Sequence, residues 1–355
     1  LRPELRFTKF FGWSQLVGGL PAAFFLLLLG ISAALASDSG RLKGLEARDL
    51  MTQGLRRSAE IMLYAFAFRL AMYLASDRPD VEGIFRVDVL NCLALASAFL
   101  TGLDFVRERS VRIVTAMAVG LWFAMAAAFV WDGGLADGLP VRIAGYLTGR
   151  VPNTFFPVFP WVAFAFLGHA AGDVIAGFRG GSFEGAARRL LLAGLVLPPL
   201  SNLLDTLPTI GPKYDYWYTS PNFILYKTGV LLILVALAFY ADRFREALLE
   251  GRGFRWIRPE AASLNRVFSA VMEPVYAAFT QMGRTSLFIY CVHVDIVYGS
   301  RVVPKLWRSC EIGEATRNLL ILTLVMLALS HAWVALKRRA GREWARFRAA
   351  SQVAS

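Results

Sequence analysis

The stretch SQLVGGLPAAFFLLLLGISAALA, residues Ser14–Ala36, carries no charged side chain and is long enough to cross the hydrocarbon core of a bilayer as one helix. Similar apolar runs of about 20 residues recur along almost the whole chain. They predict an all-α, polytopic transmembrane helical bundle with about nine spans. These are Ser14–Ala36, Gly54–Ala75, Arg86–Leu103, Val111–Trp131, Pro157–Gly177, Ala186–Leu204, Pro221–Ala241, Gly283–Gly299 and Thr316–Leu336.

The composition supports the same conclusion, because 56% of the residues are hydrophobic and only 18% are charged. An ordinary soluble domain is less apolar than this. The apolar runs leave no room for a large soluble domain, so we predict one membrane domain over residues 1–355. Within it, residues 242–282 mix apolar and charged side chains, a pattern typical of an amphipathic segment at the membrane interface.

The positively charged residues predict the orientation. Lys and Arg are frequent after the first, third, fifth and seventh spans and in the C-terminal tail and sparse after the second, fourth and sixth, while the eighth connection holds three. Because short cytoplasmic loops retain positive charge, the residues before Ser14 are expected outside and the C-terminus in the cytoplasm. We expect the bacterial cytoplasmic (inner) membrane. Since residue 1 is Leu, the native start is expected upstream, and one more span there would give about ten in the full-length protein.

Composition and missing motifs argue against several classes of function. The net charge of +12 sits at the ends of apolar runs and not in one basic stripe, which disfavours nucleic-acid binding. Three cysteines, two of them inside apolar runs, predict no disulfide framework. Three histidines without an H-E-x-x-H or C-x-x-C pattern predict no metal site. Phosphate-loop, dinucleotide-binding and nucleophile-elbow patterns are also missing from the sequence.

Ionisable side chains at membrane depth are costly, so each one is a candidate functional residue. The predicted orientation sorts the polar residues into two layers. The outer half contains Arg69, Arg86, Asp88, Asn91, Asp205, Lys227, His293 and Asp295. The inner half contains His169, Asp173 and Arg284.

Two alternatives stay open for these residues. Arg86, Asp88, Asp205 and Lys227 lie near helix ends, where side chains snorkel towards water or form structural pairs. His169 and Asp173 are four residues apart on one helical face, so the carboxylate can orient the imidazole of a catalytic base, or the two can form a purely structural pair.

Four segments carry a resemblance to a known family. They are Pro21–Gly30 followed by Leu55-Arg56-Arg57; Arg86-Val87-Asp88-Val89-Leu90-Asn91; Phe156-Pro157-Val158-Phe159-Pro160-Trp161 followed by Gly168; and Gly283-Arg284-Thr285-Ser286-Leu287-Phe288-Ile289-Tyr290-Cys291-Val292-His293. In their order and placement they resemble bacterial membrane proteins related to heparan-alpha-glucosaminide N-acetyltransferase, within the wider acyltransferase-3 and glucan-succinyltransferase superfamily. The family's first helix, with an Asp-x-x-Arg-Gly motif leading to a histidine, has no counterpart in residues 1–20.

The resemblance implies an enzyme that moves an acyl group, acetyl in the first place, from cytoplasmic acyl-CoA to a carbohydrate or cell-envelope acceptor. The roles that it implies fall into three groups. The catalytic candidates are His293, Asp295, His169 and Asp173; the acceptor-binding candidates are Arg69, Arg86, Asp88, Asn91, Trp161 and Tyr290; and the acyl-CoA-binding candidates are Arg56, Arg57 and Arg284.

Two other functions remain. In a transporter or flippase of a polar or glycan substrate, Arg69, Lys227 and the buried carboxylates would line the substrate path. In a catalytically silent member, only the fold would be kept. Membrane lipids and a glycan acceptor are the expected partners, and a homodimer is left open.

Overall fold

The computed structural model describes residues 18–74, 81–179, 181, 183–208, 212, 214–249, 262–298 and 311–353. The chain forms two compact units, residues 16–241 and a second unit that contains residues 242–355. The prediction of one domain over residues 1–355 stays a prediction.

The first unit is built from helices joined by short connections. Their bounds are α1 Leu20–Leu42, α2 Ala47–Leu74, α3 Val81–Ile84, α4 Val89–Leu100, a 3₁₀ turn Thr101–Phe105, α5 Arg109–Asp132, α6 Val141–Leu147, α7 Val158–Ala176, α8 Phe183–Asp205 and α9 Pro221–Leu249. The central helix is α7, which is buried along most of its length and packs chiefly against α1 and α5.

The long helices of the first unit alternate in direction. Antiparallel α2 and α4 are joined at one level by Ser58, whose hydroxyl donates to the Ala94 carbonyl at 2.7 Å, and further along by the ion pair of Arg69 with Asp88. In the same way, α5 runs antiparallel to α7. Two ends can therefore be defined: the Asp173 end, where α1, α4 and α7 finish, and the Trp161 end, where they start.

Glycines bring the parallel helices α1 and α7 into backbone contact. A Cβ atom added to Gly30 of α1 would overlap the Ala165 carbonyl of α7, and one added to Gly168 of α7 would overlap the Leu27 carbonyl of α1. Small residues allow this kind of close approach between membrane helices. The close packing fixes the position of α7 along the axis of α1, and with it the positions of the polar residues along both helices.

Local sequence explains where two of the helices begin. Asp88 accepts from the backbone N–H groups of Leu90 at 2.9 Å and Asn91 at 3.5 Å, and the Asn91 side chain accepts from the Asp88 backbone N–H at 3.2 Å. The reciprocal bonds between Asp88 and Asn91 form a capping box at the start of α4. Glu108 caps α5 by accepting from the Val111 backbone N–H at 2.7 Å.

The second unit contains α10 Ala262–Arg284, α11 Ser286–Tyr298 and α12 Ile312–Val353. A hydrogen bond joins the end of α10 to α12: the hydroxyl of Thr285, directly after α10, lies 2.6 Å from the Ser330 hydroxyl of α12. Residues 242–282 cover the end of α9, most of α10 and a stretch outside the described residues. Their assignment to the membrane interface stays a prediction.

Among the described residues, five helices are long and apolar enough to cross a membrane: Leu20–Leu42, Arg109–Asp132, Val158–Ala176, Pro221–Ala247 and Ile312–Gly341. The shorter apolar stretch Val89–Phe105 accompanies them. The predicted all-α polytopic membrane class is confirmed. All nine predicted spans overlap a helix, but four of these helices, α2, α4, α8 and α11, are not among the five.

Candidate functional site

A buried ion pair crosses the bundle at the Asp173 end. Arg112 of α5 donates to both carboxylate oxygens of Asp173 on α7, from Nε at 2.8 Å and from Nη2 at 2.5 Å, while both side chains are almost fully buried. The remaining Nη1 donates to the carbonyls of Val106 at 3.0 Å and Arg107 at 3.3 Å. Bidentate geometry with every oxygen used makes this pair a strong tie between the two helices.

Two further buried carboxylates lie at the same end. Asp38 of α1 is paired with Arg109 at 2.7 Å and with Arg179 at 2.9 Å. Asp104 of the 3₁₀ turn accepts from the Ser37 hydroxyl at 2.7 Å and lies 3.6 Å from Arg41. Three acidic groups from three elements are thus balanced by arginines, as buried charges must be.

A cavity of about 240 Å³ opens beside these charges, between α1, α2, the end of α4 and α7. Its polar lining consists of Ser37, Gln53, Arg57, Ser97, Thr101, Asp104 and His169, and its apolar lining includes Leu29 and Leu50. Arg57 is exposed, whereas His169 is buried. The cavity thus joins an inner-layer histidine to one of the arginines predicted to bind acyl-CoA.

His169 lies beside the buried ion pair of Arg112 with Asp173. Its Nδ1 lies 3.3 Å from the Oδ2 atom of Asp173 but makes no hydrogen bond, while both carboxylate oxygens accept from Arg112. A buried imidazole that lines a cavity is placed where a general base can reach a substrate.

The polar residues of the Trp161 end form a network that ties helices together. Arg69 of α2 pairs with Asp88, and Asn91 donates from Nδ2 to the Tyr146 hydroxyl at 3.1 Å. Burial raises the pKa of the Tyr146 phenol, which therefore stays protonated. Together with the capping box, these bonds give Asp88 and Asn91 a structural role, whether or not an acceptor also binds there.

Other acceptor-binding candidates lie around this network. The Arg86 guanidinium lies 4.5 Å from the centre of the Phe155 ring. Trp161, in the first turn of α7, packs edge-on against Phe156 with 4.7 Å between the ring centres. Its indole also faces the ammonium of Lys227 at 5.5 Å. The predicted acceptor-site roles of these residues stay predictions.

The remaining catalytic candidates belong to the second unit. His293 of α11 contacts its own helix, with Nδ1 3.1 Å from the Ile289 carbonyl, and its ring lies 5.6 Å from that of Tyr290. Arg284 ends α10. The side chain of Asp295 lies outside the described residues. A cavity shared by His293 with Arg69 and Asp88 stays a prediction.

The two arginines predicted to bind acyl-CoA differ in their surroundings. Arg56 is exposed and donates to Glu60 on its own helix at 3.3 Å. Arg57, the next residue, lines the cavity with His169. The structure therefore separates two residues that the sequence treats as equivalent.

Sequence reasoning missed the residues that surround His169. Arg112 lies at the start of the predicted span Val111–Trp131, and Asp38, Arg41 and Asp104 lie just beyond the ends of other predicted spans. An acidic residue near each of three helix ends is a usable signal, because buried carboxylates need partners. Within the described ranges, no cluster of three or more His, Cys, Asp or Glu suited to a metal ion occurs.

Comparison with known protein families gives a match over the first half of the chain. Residues 4–195 match the model of the heparan-alpha-glucosaminide N-acetyltransferase catalytic domain. The matched region spans α1 to α7 and most of α8, and so includes the cavity and all of its polar lining. A search of curated proteins gives no match. Since the match covers more than half of the chain, the chain belongs to the heparan-alpha-glucosaminide N-acetyltransferase catalytic-domain family.

Proposed function

We propose that this protein is a membrane acetyltransferase that transfers the acetyl group of acyl-CoA to an amine or hydroxyl of a carbohydrate or cell-envelope acceptor. Family membership supports acetyl transfer to a carbohydrate at a coarse level. The observation that supports acyl-CoA as the donor is the cavity. Its lining contains the buried imidazole of His169 and an exposed arginine.

The size of the cavity indicates which part of the donor enters it. Pockets for drug-sized ligands measure about 300–1,000 Å³, so 240 Å³ suits the acetylated thiol end of acyl-CoA and not the whole molecule. The nucleotide and its phosphates would stay at the mouth. Arg57 suits phosphate recognition there, because a guanidinium donates two parallel hydrogen bonds to oxyanions.

The chemistry that we assign to His169 is general base catalysis. Its imidazole takes the proton of the acceptor amine or hydroxyl as that group attacks the thioester carbonyl. The new C–N or C–O bond forms, the C–S bond breaks, and the departing thiolate receives the proton. Arg112 and Asp173 act on this step by fixing the height and orientation of α7.

We place the Asp173 end on the cytoplasmic side of a bacterial inner membrane, with the C-terminus in the cytoplasm. This placement would bring the cavity mouth to the compartment that supplies acyl-CoA. Its support is the excess of Lys and Arg after the odd-numbered predicted spans. The transporter and silent-member hypotheses stay alternatives.

The test compares three histidine variants of the purified protein in nanodiscs with labelled acetyl-CoA and an amino-sugar acceptor. We expect His169→Gln to lower the transfer rate by about 10²–10⁴-fold, the usual contribution of a general base. His331→Gln is the matched control, because His331 is exposed on α12 and bonds its own helix. His293→Gln tests the rival assignment.

The variants also separate catalysis from folding. His169→Gln should leave the thermal unfolding midpoint near that of the parent, because glutamine keeps a similar size and can hydrogen-bond. Transfer that survives His169→Gln, or is lost only with His293→Gln, would remove His169 from the site. Acceptor uptake into vesicles without any acetylated product would favour the transporter.

A further inference from the structure

Lys227 is a buried cation in the first unit, and its surroundings differ from those of the buried arginines. The buried basic residues of this unit, within its described part, are Arg69, Arg112 and Lys227. Both arginines have a carboxylate partner, Asp88 and Asp173 respectively. Among the described residues Lys227 has none.

The ammonium of Lys227 lies between aromatic rings. It is 4.3 Å from the centre of the Phe223 ring and 5.5 Å from that of Trp161, and it donates one long hydrogen bond to the Gly19 carbonyl at 3.5 Å. Cation–π contacts stabilise the charge but use none of its strong donors. An ammonium has three donors, so two of them are left for a ligand.

The depth of Lys227 favours an interfacial ligand. Phe223 belongs to an aromatic cluster with Tyr216 and Trp217, whose ring centres each lie 5.1 Å away, and Trp217 is largely exposed. Tyr and Trp concentrate at the membrane–water boundary. Lys227 lies four residues further along α9, or about 6 Å deeper at 1.5 Å per residue. A lysine side chain is long enough to cover that distance to the layer of lipid phosphates.

Ordinary snorkelling does not explain this geometry. A snorkelling lysine extends its ammonium into water, whereas the Lys227 side chain is 7% exposed and points among rings. A desolvated ammonium without a counter-charge costs several kcal/mol. A bound anion removes that cost and satisfies the free donors.

We propose that Lys227, Trp161 and Phe223 form a binding site for the phosphate ester of a single amphiphile. The ammonium takes the phosphate as a point charge. The two ring faces pack against the apolar or sugar part that follows it. Two sources share this chemistry: an ordinary anionic phospholipid and a polyprenyl phosphate that carries the glycan.

This site is separate from the cavity that we assign to acetyl transfer. Along α7, Trp161 lies eight residues before His169, which is about 12 Å at 1.5 Å per residue. Its occupancy can be measured as lipid binding without any transfer assay. Failure of the acetyltransferase proposal would therefore leave this one standing, and the reverse also holds.

The experiment measures lipid binding to the full chain by native mass spectrometry and by ligand-induced shifts in thermal midpoint. The probes are phosphatidylglycerol, a short polyprenyl phosphate and, as the neutral comparison, diacylglycerol. We expect both anionic probes to bind more tightly than diacylglycerol. Lys227→Met should weaken the tighter anionic probe at least tenfold, while Lys227→Arg keeps most of its affinity.

The matched control is Lys337→Met. Lys337 also faces an indole, with its ammonium 5.1 Å from the Trp333 ring, but it is exposed. We expect no change in lipid binding there. Because Lys227→Met removes a buried charge and keeps side-chain length, it should fold, which its thermal midpoint checks.

The two anionic probes identify the source. Tighter binding of polyprenyl phosphate assigns the site to a lipid-linked glycan, and tighter binding of phosphatidylglycerol assigns it to membrane phospholipid. Equal binding of all three probes, or anionic binding that Lys227→Met leaves unchanged, would overturn the proposal.

Discussion

The two ends of the first unit use buried charge differently. At the Asp173 end, each buried carboxylate among the described residues has an arginine, and the buried imidazole of His169 makes no hydrogen bond through its Nδ1 atom. At the Trp161 end, Arg69 and Asp88 pair with each other, whereas the buried ammonium of Lys227 has no carboxylate partner among the described residues. Paired charges hold helices together, so His169 and Lys227 are better candidates for function than the paired arginines and aspartates.

The largest effect that we expect from breaking this pairing concerns Arg112. Arg112→Met should lower the free energy of unfolding by about 3–5 kcal/mol, because it leaves the Asp173 carboxylate buried without a counter-charge. The measurement is reversible unfolding in mixed micelles or the shift of the thermal midpoint. The double variant Arg112→Met, Asp173→Leu should recover most of the loss, since no isolated charge remains.

Arg109→Met is the matched control for this prediction. Arg109 also pairs with a buried aspartate, but its side chain is 40% exposed and Asp38 keeps a second partner in Arg179. We expect a loss of about 0–1 kcal/mol, the range of exposed ion pairs. Equal losses for Arg112→Met and Arg109→Met would show that burial does not govern these pairs.

A smaller loss of stability is expected at the close contact between α1 and α7. Gly168→Ala places a methyl group against the Leu27 carbonyl, which α1 cannot avoid without moving along or away from α7. Overpacking of this kind costs about 1–3 kcal/mol. Gly102→Ala is the control, because nothing lies within 4 Å of its added Cβ atom. An unchanged thermal midpoint for Gly168→Ala would refute the tight contact of α1 with α7.

The sequence predicted the class of fold because apolar runs of membrane length leave few alternatives. It also placed His169 and Asp173 on one face, since their spacing is local. The Arg112 partner of Asp173 is 61 positions away, and its choice depends on how α5 packs against α7. The capping role of Asp88 was readable, because Asn91 follows it by three residues before an apolar run.

The lack of a partner for Lys227 was not readable from the sequence. It depends on what α1 and α7 present to α9, and the sequence offers several carboxylates at comparable depth, including Asp88 and Asp205. In the structure Asp88 pairs with Arg69, and Asp205 accepts from the Asn222 amide at 3.0 Å. Which cation remains unpaired is therefore a property of the assembled bundle.

The smallest expected effect compares the helix caps of the two ends. Asp88 caps α4 in a buried network, whereas Glu108 caps α5 at the exposed surface of the Asp173 end. Hydrogen bonds from the Ser110 hydroxyl, and then from the backbone N–H groups of Val111 and Ser110, lower the pKa of the Glu108 carboxyl below its ordinary value of 4.5. Glu108→Ala should thus lower the thermal midpoint slightly at pH 7, and less than Asp88→Ala does.

The pH dependence of the Glu108→Ala effect follows from the sign of that shift. A carboxyl whose pKa is lower in the folded state stabilises the fold fully above its unfolded value and loses this contribution as the pH falls through the folded value. The difference in thermal midpoint between the parent and Glu108→Ala should therefore be constant from pH 7 to about pH 5 and shrink below pH 4.5. Glu60→Ala, at an exposed position on α2 with no capping bond, provides the baseline. A difference that grows on acidification would contradict the assignment of Glu108 as an ionised cap.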